Sequence, residues 1–515
     1  MAMTTDNKYL IAFTTMLGTF IEVVDTSVAN VALPHMAGTF GAGTDEITWV
    51  ITSYLVANAI ILPLTGWIGN FFGRKRVYLF CLILFTLASF GSGAAPSLYF
   101  MVLMRVIQGL AGGAMVPMSQ AILLETFPKE EHGKAMALFG VGVIFGPIIG
   151  PTLGGWIADN WSWPWIFYIN IPVGVVAFIL GYFLIEDPSY LKKPEGKVDY
   201  YSFLFVALGL GSLEIVLNRG ERYDWFASGF IRFWAVMAGI GIFLFIWRSL
   251  TAENPLVNLS IMKNKEYAAG TTLMFLLGFG LYGSFVMLPL FCQHLLGYTA
   301  TWAGFVISPG GFASLLAMAF VGNLVGKIDT RFLVMIGIIC NIVSLYILTF
   351  INLSTDFTFF MTSRLIQGFG LGLLFVPITV SAYSRIPKHL TGQATGLFNL
   401  MRNEGGSVGI ALSTTILSQR SQFHQSRLVE NLSNYSVDFL EKVHSATHYL
   451  FIYGGFDPSS SNYGAYGLFY KELLRQSYLK AFVDVFHFLM IISILLIPFV
   501  FLLKGKVKKE GIVPH

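Results

Sequence analysis

Charge is scarce in this 515-residue chain: Asp, Glu, Lys and Arg make up 12% of it, where soluble domains carry about 25%. Hydrophobic residues make up 55% and the mean hydropathy is +0.68, which excludes a protein built mainly on a soluble core. Cysteine is rarer still. Cys81, Cys292 and Cys340 all fall in apolar segments without metal-ligand spacing, which argues for buried thiols and against a disulfide framework. His35, His132, His294, His389 and His487 are scattered and none belongs to an HExxH pattern. With no serine, histidine and acid arrangement, no residue is assigned a catalytic or metal-binding role, and an enzyme is not expected. No Walker motif is present, so neither ATP nor any cofactor is expected as an energy source. Only eight residues precede the first apolar segment and no small-residue cleavage site follows it, so a cleavable signal peptide is not expected. The net charge of +4 is small and marks no nucleic-acid partner.

What the chain has is long apolar runs. A spanning helix needs roughly 20 apolar residues, and on that rule the spans fall at 9–33, 48–70, 77–96, 98–125, 135–158, 165–185, 200–218, 229–250, 268–292, 301–325, 331–352, 357–382, 394–417 and 481–504. The expected fold is therefore all-α and integral to the lipid bilayer, with about fourteen transmembrane helices. With the N-terminus in the cytoplasm, the inside segments hold twenty Lys and Arg and the outside segments nine. The inside set includes Lys192, Lys193, Lys197, Lys504, Lys506, Lys508 and Lys509. The positive-inside rule then puts both termini in the cytoplasm. Residues 418–480 are long and polar and read as an outside loop. Its aromatics, Tyr449, Phe451, Tyr453, Phe456, Tyr463, Tyr466 and Tyr470, suit either a cap on the membrane surface or a docking face for a periplasmic partner.

The chain repeats itself. Pro128-Lys-Glu-Glu-His-Gly-Lys-Ala-Met-Ala-Leu-Phe139 matches Pro387-Lys-His-Leu-Thr-Gly-Gln-Ala-Thr-Gly-Leu-Phe398 at an offset of 387 − 128 = 259, and Arg105-Val-Ile-Gln-Gly109 matches Arg364-Leu-Ile-Gln-Gly368 at the same offset. Parallel repeats of this kind place a substrate cavity between two bundles. The expected units are a six-helix bundle over 1–187, two inserted helices with linkers over 188–262, and a second six-helix bundle over 263–515 that includes the 418–480 loop.

The first span carries two carboxylates, Glu22 and Asp25. Ionisable residues are costly in lipid and mark sites where something is protonated, paired or carried. Asp25 lies about eight residues, roughly 12 Å, from the outer end of its expected helix, and Arg105 reaches a similar depth in the fourth span. A guanidinium favours the charged carboxylate and desolvation favours the neutral one. A pair whose surroundings change between two states can therefore load and release a proton; a permanent structural ion pair is the alternative. Glu22 is one turn deeper on nearly the same face, either a second proton site, a counter-charge for a cationic substrate, or a permanently protonated acid. Thr19, Glu22, Thr26 and Asn30 form a polar stripe that suits a cavity wall or a helix contact. Gln108, Arg364, Gln367, Asn399 and Glu404 complete the cavity candidates. Arg364 has no carboxylate in span 268–292, so its expected partner is Glu404, with an Arg402–Glu404 arrangement as the alternative. Glu214 and Asp484 lie near helix ends, where snorkelling to water is expected.

Several motifs together resemble the major facilitator superfamily and, within it, the fourteen-helix drug:proton antiporters of the EmrB type. They are Gly66-Trp-Ile-Gly-Asn70-Phe-Phe-Gly73-Arg74-Lys75-Arg76 between the second and third spans, the Arg105 segment, Gly146-Pro147-Ile-Ile-Gly150-Pro151-Thr-Leu-Gly154-Gly155 in the fifth span, Trp165-Ile-Phe-Tyr-Ile-Asn170-Ile-Pro172, and Asp25-Thr-Ser-Val-Ala-Asn30-Val-Ala-Leu-Pro34. The resemblance implies two six-helix bundles, an alternating-access multidrug exporter driven by proton entry with Asp25, Glu22 and Arg105 in proton coupling, and a bacterial inner-membrane location. It also implies a membrane-fusion adaptor and an outer-membrane channel as partners, beside hydrophobic or amphipathic drugs and H+. Gly66, Asn70, Gly73, Arg74, Gly146, Pro147, Gly150 and Pro151 would form the conformational gate. The family's loop signature usually has aspartate where Asn70 stands, which leaves that gate without one charge. From the residues alone, a narrow exporter of a siderophore, peptide or lipid, a proton-independent facilitator, and a non-transporting receptor or scaffold stay open.

Overall fold

The computed structural model describes residues 5–188, 199–252, 255–430, 432–433 and 436–503. Lys192, Lys193, Lys197 and the basic run from Lys504 to Lys509 lie outside the described residues, as does the junction at 189–198. The helices are α1 (Thr5–Phe40), α2 (Asp45–Phe72), α3 (Arg74–Gly93), α4 (Leu98–Thr126), α5 (His132–Asn160), α6 (Trp165–Leu184), α7 (Tyr200–Arg219), α8 (Gly229–Thr251), α9 (Lys265–Leu296), α10 (Ala300–Leu324), α11 (Thr330–Leu348), α12 (Phe357–Tyr383), α13 (Thr391–Val429), α14 (Val437–Gly454) and α15 (Pro458–Ile494). In lipid each backbone N–H and C=O must be satisfied within its own segment, and helices do this residue by residue. Their free first-turn N–H groups are capped where the sequence supplies an oxygen: Ser97 accepts from Phe100, Thr299 from Trp302, Asp329 from Arg331 and Asp356 from Phe359.

Thirteen of the described helices are long and apolar enough to cross a membrane. Helix α13 is 39 residues long and fails that test only on apolarity, because Arg402, Asn403 and Glu404 stand in its middle; it lies between α9 and α15 in the second bundle. Helix α1 runs past residue 33 to Phe40, so Asp25 stands deeper in it than expected. The overhang is held by Trp163, whose Nε1 donates to Thr39 Oγ1 at 2.9 Å.

The 418–480 segment is not an open loop. Helix α13 continues to Val429, α14 follows, and α15 starts at Pro458. Ser436 and Asp457 cap the last two. Hydrogen bonds from Ser459 and Ser460 hold the exposed Asp457 carboxyl down to about 2. Helices α14 and α15 form a hairpin around Phe439, Val443 and Ala465, with Phe439 edge-on to Tyr466 and Phe469 at 6.1 and 5.4 Å. Tyr449, Phe451, Tyr453, Phe456, Tyr463 and Tyr470 stay exposed.

The two bundles meet along two seams. In one, α5 lies between α1 and α10. A Cβ on Gly146, Gly150 or Gly154 would press on Val23, Ser27 or Val28 of α1, and one on Gly304 or Gly311 of α10 would press on Thr152 or Ile148. Small residues at these positions let the backbones approach. Pro147 and Pro151 sit inside an unbroken helix. In the second seam α2 and α4 meet α13 and α12. Gly66 rests directly on the backbone of Gly392 and Gln393, Asn399 Nδ2 donates to Gln120 Oε1 at 2.6 Å, and Asn403 Nδ2 donates to Asn58 Oδ1 at 3.2 Å. The inserted helix α7 lies against this seam: Gly211 faces Val56 and Ile60 of α2, and Glu214 reaches Ser407 of α13.

Candidate functional site

The first bundle buries a closed polar network around Asp25. Its Oδ2 accepts from Arg105 Nη1 at 2.5 Å, and its Oδ1 accepts from Gln108 Nε2 at 2.8 Å and Asn170 Nδ2 at 2.9 Å. Arg105 also donates from Nε to Val50 O at 3.1 Å and from Nη1 to Gln108 Oε1 at 2.8 Å. Its guanidinium lies over the Tyr54 ring, 4.2 Å from the centroid. Ser89 Oγ accepts from Gln108 and Asn170 and donates to Phe167 O at 2.9 Å. Asp25 is 2% exposed and Arg105 0%, so the charge of each is neutralised inside the network rather than by water. Helices α1, α2, α3, α4 and α6 each contribute one or more of these groups. The motif that contains Asn170 assigns it no role, and nothing in the residue order points to Ser89. A lone buried serine has no signature in a sequence.

Glu22 is buried one turn away. Its Oε1 accepts from Tyr54 OH at 3.1 Å and Asn58 Nδ2 at 3.0 Å. The line continues across the seam: Asn58 Oδ1 accepts from Asn403, whose Oδ1 accepts from Arg402 at 3.4 and 3.3 Å. An acid of the first bundle is thus joined to an arginine of the second through two asparagines. Thr26 and Asn30 return their side-chain donors to the backbone of Glu22 and Thr26, at 3.1 Å in each case, so these two donors are satisfied within their own helix, while Glu22 of the same stripe bonds to α2. Asn30 is exposed and Thr26 half-buried.

In the second bundle Arg364 is fully buried. It donates from Nη1 to Ser284 Oγ at 3.1 Å and to Gln367 Oε1, and from Nη2 to Ser284 O at 3.3 Å. Gln367 Nε2 donates to Asn341 Oδ1 at 3.0 Å. The expected Arg364–Glu404 pair does not form, nor does Arg402–Glu404: Arg402 turns to Asn403, and both Glu404 oxygens are buried without a hydrogen-bond partner. Helix rotation places Arg364 towards α9 and Glu404 towards α7. Glu214 does not snorkel; it is 2% exposed because α7 is packed against α2 and α13. Asn399 lies in the seam between the bundles, against Gln120. Asp484 is held by Arg420 at 2.5 Å and His424 at 2.7 Å.

At the loop between α2 and α3, Gly73 has φ +92°, a conformation that glycine adopts without a steric cost. A Cβ there would lie 2.5 Å from Asp187 Oδ2, and Asp187 Oδ1 accepts from Lys75 N at 2.8 Å. Arg74 is buried and paired with Glu125 at the end of α4. Asn70 donates to His389 O at 3.5 Å across the second seam. The acid missing at position 70 thus has a counterpart of another origin, Glu125, against the neighbouring arginine.

Two helical bundles related by an internal repeat, with an acid–arginine network buried in one, define a membrane transporter fold of the two-bundle kind. The family model of the Major Facilitator Superfamily matches residues 15–410, and the chain belongs to that superfamily. It is 37% identical over 434 residues to the multidrug export protein EmrB of Haemophilus influenzae, covering 83% of this chain and 84% of that one. It is 33% identical over 498 residues to the fatty acid resistance protein FarB of Neisseria gonorrhoeae, covering 96% of each. Among solved structures, the human organic anion transporter MFSD10 aligns with a TM-score of 0.60 at 12% identity, over 94% of this chain and 99% of that one, a likeness of fold.

Proposed function

We propose that this protein is a multidrug exporter of the bacterial inner membrane that exchanges drug for protons by alternating access. The observation that carries the reading is the Asp25 carboxyl, buried in a network whose members come from five helices. Movement of one bundle against the other changes water access to such a site, and with it the balance between charged and neutral carboxyl. Asp25 loads a proton from outside; the proton leaves towards the cytoplasm as drug is taken up from the inside or the inner leaflet. The likeness to the EmrB protein of H. influenzae supports drug export. A drug-susceptibility panel in a host lacking its own pumps tests this. Wild type raises resistance to several unrelated compounds, and Asp25→Asn, inserted at normal levels, raises none. Resistance retained in Asp25→Asn counts against the reading.

The positive-inside count supports cytoplasmic termini, which puts α14 on the outer side. Its exposed aromatics and those of α15 then suit docking of a membrane-fusion adaptor that leads to an outer-membrane channel. Adaptor capture that survives deletion of 437–454 argues against this. A second reading, export of amphipathic lipid-like acids alone, is favoured by the full-length likeness to FarB; resistance confined to fatty acids in the same panel would select it.

A further inference from the structure

The inserted helix α7 carries a buried acid that the Asp25 network does not use. Glu214 Oε1 accepts from Ser407 Oγ of α13 at 2.8 Å, and its Oε2 accepts from Asn218 Nδ2 at 2.6 Å. Glu404 stands one turn before Ser407 on the same side of α13. It is 6% exposed, both of its oxygens are buried without a hydrogen-bond partner, and the Ser407 hydroxyl one turn along anchors the Glu214 carboxyl on the same side of the helix.

No Lys, Arg or His among the described residues forms an ion pair with either acid. The cations nearby are engaged elsewhere. Arg402 bonds Asn403, and its charge acts on Glu22 of α1. Arg219, further along α7, donates to Asp45 O at 2.9 Å and lies over the Trp49 ring. Arg248 of α8 is held by Asp199 at the far end of α7. From α9 the ring of Tyr282 covers Gly406. An isolated carboxylate in such a setting is very costly, and two like charges buried at one helix contact with no cation paired to either disfavour double ionisation. A proton on one carboxyl removes the repulsion and supplies the missing donor.

We propose that Glu214 and Glu404 form a second proton-binding site, one proton shared between two carboxyls where the inserted helix meets the second bundle. The site ties α7 to α13 when it is protonated and pushes them apart when it is not. That gives the inserted helices a task in the cycle: the seam between α2 and α13, which α7 covers, closes or loosens with proton occupancy. The proposal rests on the proton-driven reading for the use made of the proton, not for the proton's presence.

Infrared spectroscopy of the full-length protein in lipid nanodiscs tests it through the carbonyl band of protonated carboxyls. At neutral pH the wild type is expected to show a component that shifts in Glu214→Gln and in Glu404→Gln and is lost in the double substitution. Ser407→Ala keeps both acids and removes one donor; it should shift the same component, and it carries the test if the double variant fails to fold. A component unchanged in all of these overturns the proposal. So does loss of the wild-type component on adding sodium ions, which would mark a metal cation in place of the proton. Asp25→Asn should leave the component in place while transport is lost. If Asp25→Asn transports normally and the component still responds to the glutamine variants, the proton-driven reading fails and the shared-proton site stands.

Discussion

The two bundles build the same frame and put different chemistry in it. In the first, Arg105 and Gln108 on α4 hold Asp25 of α1. In the second, Arg364 and Gln367 on α12 hold Ser284 of α9. The positions correspond at one offset, 364 − 105 = 284 − 25 = 259. A guanidinium faces a carboxylate in one bundle and a hydroxyl in the other. The first pair is a neutralised ion pair. The second leaves a buried cation with neutral acceptors only, and Arg364 Nε without a hydrogen-bond partner. The repeat therefore conserves a scaffold for positioning a group between helices, and a single side chain decides whether that group can carry a proton.

The sharpest way to break this comparison is to exchange the two side chains. Asp25→Ser should abolish export altogether, measured as the return of drug susceptibility to that of the host without the protein. Asp25→Ser with Ser284→Asp should regain buried-pair stability but not export, because the acid then lacks Glu22 and the asparagine line across the seam. Export restored by the exchange would show that either bundle serves equally.

Removing the arginines comes next. Arg105→Ala strands Asp25 and should cost about 3–5 kcal/mol, whereas Arg364→Ala strands only neutral groups and should cost about 1–3 kcal/mol. Thermal unfolding in detergent at matched pH compares them; equal losses would mean that Asp25 is neutral in the resting state.

A smaller effect is expected where the bundles touch. Gly66→Ala forces a methyl against the backbone of Gln393, an overpacking of about 1–3 kcal/mol. It should raise the labelling rate of cysteines placed at the α2–α13 seam, while the corresponding labelling at the α5–α10 seam stays unchanged. The smallest effect lies outside both networks. Asp199 caps α7 and bonds Ser202 and Arg248. Burial pushes its carboxyl up, but those hydrogen bonds outweigh burial and hold it below the usual aspartate range. Its contribution is therefore present above the ordinary aspartate value and is lost as pH falls through the depressed one. Asp199→Ala should cost about 1 kcal/mol at neutral pH and progressively less in acid, read by the same melting assay.

Much of the fold could be read from residue order. Apolar run length predicts fourteen spans; thirteen of the described helices are long and apolar enough to cross a membrane, and the fourteenth, at 394–417, is the helix α13 with its polar middle. The contact between Asp25 and Arg105 was reachable from depth alone, since both side chains face inwards in adjacent helices. The partner of Arg364 was not. Choosing between Ser284 and Glu404 needs the rotation of α13 about its axis, and the consecutive polar residues Arg402, Asn403 and Glu404 point to different sides of that helix and so do not set it. The helices in 418–480 were missed because a polar segment outside the membrane carries no hydropathy signal, although Ser436 and Asp457 stood where caps belong.

Residue order alone carries the long apolar helices, the internal repeat, and the rarity of Glu22, Asp25 and Arg105 as charges within apolar segments. It does so because the cost of charge and of unpaired backbone in hydrocarbon acts on each segment separately. Only the tertiary structure decided which groups meet: Asn170 on Asp25, Ser89 on Gln108 and Asn170, Glu125 on Arg74, Asn403 on Asn58, and Ser407 on Glu214. Those contacts depend on helix rotation and on glycine-sized gaps between helices, and both are set by the packing of many side chains at once.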